Sequence, residues 1–502
     1  METLQFQRIK QQGLGRPIIS EVSNGMRFVA IGARVAWGKW TTFQDFLLWY
    51  LKHSFGLHWG EAELQLPEQD RHPLFGWLTA LDTLIRRHTT DPEGINEMPN
   101  YGAAMAVFSL AYDLYLIEHH ANTDSDKRAF ARILSRMRHS DQFFGARHEA
   151  RAAGIMLRAG FDVRWEEERA GKTGGHAEFV ATFPSTGRSF WVECKMRQPT
   201  SDKSPPSFAH LLSAALKKKT NLERLIFVEM NAANASMDRI NGGWVGWALN
   251  HLRTFELQPK AAELSSALVF ISNFAEHLKL YEVLEGSATV GVALEGFKDS
   301  RYRTGEIMDL REAINRRESD LEIERLWQSL EQHTRIPVTF DGGLPSIDEG
   351  NRLLIGRSYQ LPSGEVGVLE EATVVEQEEC AAAILRLADE QRIMVKFPLS
   401  QQELSAWNSH PETFFGELRS HHREAKSAMD MFDFFMSGYR TTPRETLLNL
   451  MAAATDIDRL RGMSQPELAK EYAYRLTVAA VSGSRGFDPP VWHHRLRGRK
   501  TK

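Results

Sequence analysis

Cysteine is nearly missing from this chain of 502 residues: Cys194 and Cys380 are the only two. Two thiols build neither a disulfide framework nor a cysteine-based zinc site, and they fit a reducing compartment, so a cytoplasmic location is expected. Long apolar runs are missing as well. The longest apolar stretch, Ala103 to Leu110, is interrupted by Ser109 and soon followed by Asp113. A membrane span needs about 18 apolar residues or more, so no membrane partner is expected. The first residues, M-E-T-L-Q-F-Q-R-I-K-Q-Q, lack the apolar core of a signal peptide. There is no excess of positive charge: the net charge is -4, which excludes a globally basic nucleic-acid binder and leaves only local basic patches for that role. Low-complexity tracts and long repeats are absent. So are a Walker lysine loop, a dinucleotide glycine fingerprint and a GxSxG elbow, which excludes an ATP motor built into this chain.

What is present is an ordinary globular composition, 42% hydrophobic and 25% charged, in a chain long enough for roughly two to four domains. Residues 25–37 read as a hairpin turning at Gly32. A helix starts after Thr42, where T-F-Q-D sets an acid at the capping position. Phe43, Phe46, Leu47, Tyr50 and Leu51 form its apolar stripe. Further helices are expected at about 74–87, 101–120 and 126–138, making residues 1–138 a mainly helical N-terminal domain. His53, His58 and His72 have no acid or cysteine at ligand spacing, and read as surface or packed histidines rather than a metal set.

Residues 139–300 read as an α/β domain. A helix over about 143–160 carries Ala146, Glu149, Ala153, Met156 and Leu157 on one face, with Arg147, Arg151 and Arg158 on the other, which is expected to be solvated. Gly160 ends it. A short strand around Phe161, Val163 and Trp165 follows. Then come two strands from His176 to Lys195, H-A-E-F-V-A-T-F-P-S-T-G-R-S-F-W-V-E-C-K, joined by a tight turn. Side chains alternate along a strand, so Glu193 and Lys195 share a face, and a hairpin in natural register brings Glu178 to the same patch. A helix at about 207–219 ending in Lys217-Lys218-Lys219, a doubly buried strand at 225–230, a helix at 243–256 and a strand at 267–272 complete a mixed sheet flanked by helices. Residues 301–502 read as an α+β region: helical over 306–333, short strands to 376, a helix at 377–391, a strand at 392–397, then mostly helical.

Two carboxylates and an ammonium on apolar strands are costly unless paired with each other or bound to a metal. The ordinary alternative is a cross-strand ion pair. Glu149 adds a third acid from the preceding helix. Hydrolysing a phosphodiester needs an activated water and neutralised phosphate charge, and a hard divalent cation held by carboxylates supplies both. Glu178, Glu193 and the backbone carbonyl of Cys194 suit Mg2+, or Mn2+ in its place. Glu149 would bind through water or hold a second ion, and Lys195 would orient the attacking water or act as base. The Cys194 side chain alternates away from Glu193 and reads as core. His176 reads as a turn residue or an added ligand.

The order helix, three-stranded meander, helix, strand, with E-C-K at 193–195, Glu149 on the first helix and Glu178 on the middle strand, resembles the PD-(D/E)xK nuclease superfamily. The likeness covers about residues 143–231. It implies a restriction-endonuclease-like core, catalysis by Glu149, Glu178, Glu193 and Lys195, and a Mg2+-dependent nuclease acting on DNA, or RNA, in restriction, repair or anti-phage defence. One departure is Ala177-Glu178, where the family has Pro-Asp. Lys203, Lys217, Lys218 and Lys219 after the catalytic strand, together with Arg147 and Arg151, are candidate phosphate contacts. The lysine run also suits the negative end of a helix dipole. The flanking regions would select substrate, recruit a protein partner or form a homo-oligomer. The alternative reading is a catalytically inactive nucleic-acid-binding or assembly protein on the same scaffold.

Overall fold

The computed structural model describes residues 2–90, 98–166, 178–197, 208–232, 243–284, 290–302, 309–333, 336–341, 353–361, 364–409, 411–417 and 427–483. The fold is mixed α/β, and three sheets of three, six and four strands are present among these residues. None of the described helices is long and apolar enough to cross a membrane.

The N-terminal region follows its local signals. Strands Met26–Ile31 and Arg34–Gly38 pair antiparallel, and Gly32 turns between them at φ 57°, a conformation that glycine adopts without strain. Helix Phe43–Phe55 opens on a reciprocal cap: Asp45 N–H donates to Thr42 Oγ1 at 3.2 Å, and Thr42 N–H donates to Asp45 Oδ2 at 2.8 Å. All five residues of its apolar stripe are buried. Helices Pro73–His88, Gly102–His120 and Asp124–Met137 follow. Gly102–His120 is buried almost all round, as a helix with apolar residues on every face must be.

The central six-stranded sheet positions the candidate site. Its elements are helix α1 (Ser140–Arg158), strands β1 (Asp162–Trp165), β2 (Phe179–Thr182) and β3 (Ser189–Met196), helix α2 (Phe208–Leu216), strand β4 (Glu223–Glu229), helix α3 (Trp244–Glu256), and strands β5 (Ala267–Phe274) and β6 (Val290–Phe297). The strands lie in chain order across the sheet. β1, β2 and β3 form an antiparallel meander, β3–β4 and β4–β5 are parallel, and β5–β6 is antiparallel. The parallel pairs are each joined through a helix, α2 or α3, as parallel neighbours require.

The two faces of the sheet bury different cores. Phe190, Val192, Cys194, Leu225, Phe227 and Phe270 pack with α1 and the N-terminal helices in one continuous cluster that also takes in Ile323, Leu326 and Phe340. Ile226, Val228, Val269 and Ile271 pack with α2 and α3. Position 138 therefore falls inside a shared core and not at a thinly connected linker.

One expected helix is a strand. The composition of residues 377–391 predicts a helix; instead Cys380–Arg386 is an inner strand of the C-terminal sheet, between Val366–Val375 and Arg392–Pro398. The alanine-rich run has good helix propensity. Ala381, Ala383 and Leu385, however, recur with a period of two and are completely buried in that sheet's core. Glu379 and Glu390 turn the chain at φ 48° and 66° on either side. Tertiary packing overrides propensity here. The helical stretch expected over 306–333 is two helices, Leu310–Ser319 and Leu321–Gln332, parted at Asp320.

Candidate active site

The register of the meander brings the acids together. Phe179 pairs with Val192, and Glu178 N–H donates to Val192 carbonyl at 3.1 Å, so Glu178 stands opposite Glu193 at the mouth of the hairpin. Trp191, Glu193 and Lys195 share one face of β3, the face that also carries Arg224, Ile226 and Val228 of β4.

Glu193 is fully buried and completely engaged. Its Oε1 accepts the Trp191 indole N–H at 2.9 Å. Its Oε2 takes two ammoniums, Lys195 Nζ at 3.2 Å and Lys218 Nζ at 2.8 Å. Lys195 Nζ is the centre of the site. It donates to Glu193 Oε2 and, at 3.0 Å, to the Cys194 carbonyl, and it lies 3.8 Å from Glu178 Oε1. The three oxygens that the sequence offers as metal ligands thus surround one positive charge.

Glu149 reaches this corner from α1 but is held by another partner. Arg136, on helix Asp124–Met137, grips both its oxygens at 2.6 and 2.7 Å. A bidentate guanidinium leaves the carboxylate little capacity for a cation. The charge is still felt: burial, then Glu149, push the Glu178 carboxyl up to about 7, against the opposing pull of Lys195. Burial pulls the Lys195 ammonium down, but Glu193 and Glu178 outweigh it and hold it above its ordinary value. The Cys194 thiol is buried and pushed well up, by burial first and then by Glu178 and Glu149. It points away from Glu193, as its alternation predicts, but into the layer from which Glu149 comes.

The arginines are a correction. Helical periodicity places Arg147, Arg151 and Arg158 on a solvated face, yet each is less than one-tenth exposed. Helix α1 is wedged between the sheet and helix Gly102–His120, so both its faces are covered. Gly154 lets the two helices meet, since a Cβ there would collide with Asp113. Arg151 donates to Asp113 Oδ2 at 2.9 Å and to Glu276 Oε1 at 2.9 Å; Arg147 donates to Glu276 Oε1 at 3.1 Å; Arg158 lies 3.4 Å from Asp113 Oδ1. Buried and paired in this way, Arg147 and Arg151 are not open to a phosphate backbone.

Of the lysines, Lys217 and Lys219 are exposed just beyond α2, while Lys218 turns inward to Glu193. Lys203 and His176 lie outside the described residues. Three groups had no place in the reading from sequence. Trp191 was visible as part of a W-x-E-x-K alternation. Arg136 and Arg224 carry no local signal. Arg224 is buried on β4 and donates Nη2 to the Lys218 carbonyl, fixing the turn after α2. His148, next to Glu149, is buried, with Nε2 3.1 Å from the Phe227 carbonyl, and burial pulls it down to about 4.

Among the described residues no group of three or more His, Cys, Asp or Glu side chains is placed to hold a metal. The set at Lys195 is smaller, two carboxylates and one main-chain carbonyl. It fits magnesium in kind, since that ion keeps several waters and takes only one or two carboxylates. Comparison with protein-family models, curated proteins and solved structures found no match to this chain.

Proposed function

We propose that the chain is a Mg2+-dependent nuclease of the PD-(D/E)xK type, cutting phosphodiester bonds in DNA, with RNA the second substrate class. One observation carries the reading: Glu178 Oε1, Glu193 Oε2 and the Cys194 carbonyl converge on a single positive charge, Lys195 Nζ, at 3.8, 3.2 and 3.0 Å. The element order helix, antiparallel meander, helix, parallel strand supports it.

In this reading the same three oxygens would hold the cation once the Lys195 ammonium has moved aside, and the cation would supply a water of lowered pKa and neutralise phosphate charge. The indole of Trp191 keeps Glu193 in one orientation, so that Oε2 stays aimed at the site. Lys195, one residue beyond the carbonyl and on the same face as Glu193, holds the attacking water by hydrogen bond and steadies charge on the phosphate. Glu149 acts at a distance: burial first and then its charge hold the Glu178 carboxyl high, so that Glu178 would ionise fully only with a cation beside it, and Arg136 keeps Glu149 in place.

The alternative, a nucleic-acid-binding or assembly protein without catalysis, is favoured by a specific observation. Each of the three acids already has a protein cation: Arg136 on Glu149, Lys195 on Glu178, Lys195 and Lys218 on Glu193. Incubation with plasmid, linear and single-stranded DNA and with RNA, in magnesium or chelator, separates the two. The nuclease reading expects magnesium-dependent cleavage that Lys195→Ala lowers by about 10²–10⁴. Binding without cleavage, or cleavage undiminished in Lys195→Ala, overturns it.

A further inference from the structure

Arg197 stands one residue past the end of β3 and is still held by the sheet. Its N–H donates to the Glu229 carbonyl of β4 at 2.9 Å, and its own carbonyl accepts from Asn231 Nδ2 at 3.2 Å. Asn231 turns the chain after β4 at φ 50° and is itself tied down, because its N–H donates to Glu229 Oε1 at 2.9 Å. With the main chain fixed, strand alternation carries the Arg197 side chain onto the face of Trp191, Glu193 and Lys195. It lies roughly 6–7 Å beyond Lys195 along the strand. This is the carboxyl end of the parallel pair β3 and β4, the end at which α/β sheets bind their ligands.

Arg197 differs from the other cations around the site in having no acid. Arg136, Lys195 and Lys218 are paired with Glu149, Glu178 and Glu193. Arg147 and Arg151 are paired with Glu276 and Asp113. Among the described residues the Arg197 guanidinium has neither an ion pair nor a hydrogen bond, and its Nε is buried without an acceptor. Glu229, whose carbonyl holds the Arg197 main chain, spends its carboxylate on Ser272 Oγ and on the amides of Asn231 and Phe274. Burial therefore pulls Arg197 down with no neighbouring acid to oppose it. A sealed donor without a partner is unfavourable, so nothing locks the arm where it rests. The residue is only partly covered, and a turn of its side chain presents Nε and a terminal nitrogen together. Two parallel donors carrying one positive charge match two oxygens of one phosphodiester.

We propose that Arg197 is a substrate-binding residue whose guanidinium grips the phosphodiester next to the one that is cut. Glu193 and Lys195 serve the reacting phosphate, and Arg197, next on the same face, serves its neighbour. This rests on the reading of the substrate as a nucleic acid. It goes beyond that reading by naming the residue that holds the strand and by running the strand along β3 past its carboxyl end.

The test measures binding and cutting separately on the full-length protein. Fluorescence anisotropy with labelled duplex DNA, single-stranded DNA and RNA, in chelator and in Ca2+, reads affinity. Arg197→Gln is expected to weaken binding on the order of tenfold, as loss of a charge-assisted contact does. The slope of log affinity against log salt is expected to fall by about 0.9 on duplex or about 0.7 on a single strand. Arg197→Lys keeps the charge without the fork, and is expected to keep the slope while binding several-fold more weakly than wild type. In magnesium, Arg197→Gln is expected to raise KM with little change in kcat. Wild-type affinity in Arg197→Gln, weaker binding with an unchanged slope, or a fall in kcat alone overturns the proposal. Should Arg197→Gln fail to fold, Arg197→Lys carries the affinity arm, and affinity equal to wild type overturns it. Binding that Arg197→Gln weakens, without cleavage by wild type in magnesium, defeats the nuclease reading and leaves the phosphate contact standing. Cleavage by wild type with no loss of affinity in Arg197→Gln defeats the contact alone. Absence of nucleic-acid binding by wild type defeats both.

Discussion

Two clusters of charge flank α1 and the sheet, and they solve the cost of buried ions in different ways. In the first, arginines Arg147, Arg151 and Arg158 are packed against Asp113 and Glu276, all less than one-tenth exposed. In the second, lysines Lys195 and Lys218 meet Glu178 and Glu193, and only Glu193 is fully buried. The guanidinium forks bind several oxygens at fixed angles: Arg151 alone reaches Asp113, Glu276 and Ser109. The ammoniums of Lys195 and Lys218 meet on one oxygen, Glu193 Oε2. The arginine cluster is a joint that holds helix Gly102–His120, α1 and the segment after β5 together. The lysine cluster is the candidate site.

The sharpest way to break this contrast is to remove one cation from each cluster. Arg151→Met removes the cation that Asp113 and Glu276 share at 2.9 Å and leaves each buried carboxylate one longer contact, to Arg158 and Arg147, so chemical denaturation is expected to show a loss of about 3–5 kcal/mol. Lys195→Met leaves Lys218 on Glu193 and an edge open to water, so its loss is expected to stay within about 1 kcal/mol. Equal losses for the two variants would end the distinction between joint and site.

A second test uses acid. Burial pulls His148 and His333 down to about 4 and His277 to about 3, all in the core that α1 shares with its neighbours. Histidine in an unfolded chain titrates near its ordinary value of about 6.5. Between pH ~6.5 and ~4 the unfolded chain takes up protons that the folded chain refuses, so stability is full above ~6.5 and falls as the pH drops through that window. For His148, which is fully surrounded, the fall approaches about 3 kcal/mol. Unfolding midpoints in urea at pH 7.5, 6.0 and 4.5 should decline in that order, and His148→Gln should flatten the decline. A midpoint that does not move across the range would show that these rings are not held neutral by burial.

How much of this was legible beforehand differs between the clusters. Alternation along one strand placed Glu193 and Lys195 together, and hairpin register added Glu178, because both are local rules of the β-sheet. The Thr42–Asp45 cap and the meander itself were legible for the same reason. The arginine cluster was not. Helical periodicity separates the two faces of α1 but does not say that a second helix covers the polar one, and Asp113 and Glu276 lie 38 and 125 residues from Arg151. Lys218 was visible as part of a basic run at the end of a helix. Its inward turn depends on Arg224 and on the depth of Glu193, which a run of three lysines does not encode.

The smallest expected effect falls on the two lysines that stayed outside. Lys217 and Lys219 are exposed past the end of α2, so replacing both by Ala should change the unfolding midpoint little, by within about 0.5 kcal/mol. If they line the path of a phosphate backbone, DNA affinity measured over a range of salt should show a shallower dependence. The slope would drop by about 0.9 for each duplex phosphate no longer neutralised, and therefore by at most about 2 for the pair. The same substitution in a helix end that serves solubility alone leaves that slope unchanged. Because Lys218 is retained in this double variant, turned inward to Glu193, the change in slope reports the two rim charges alone.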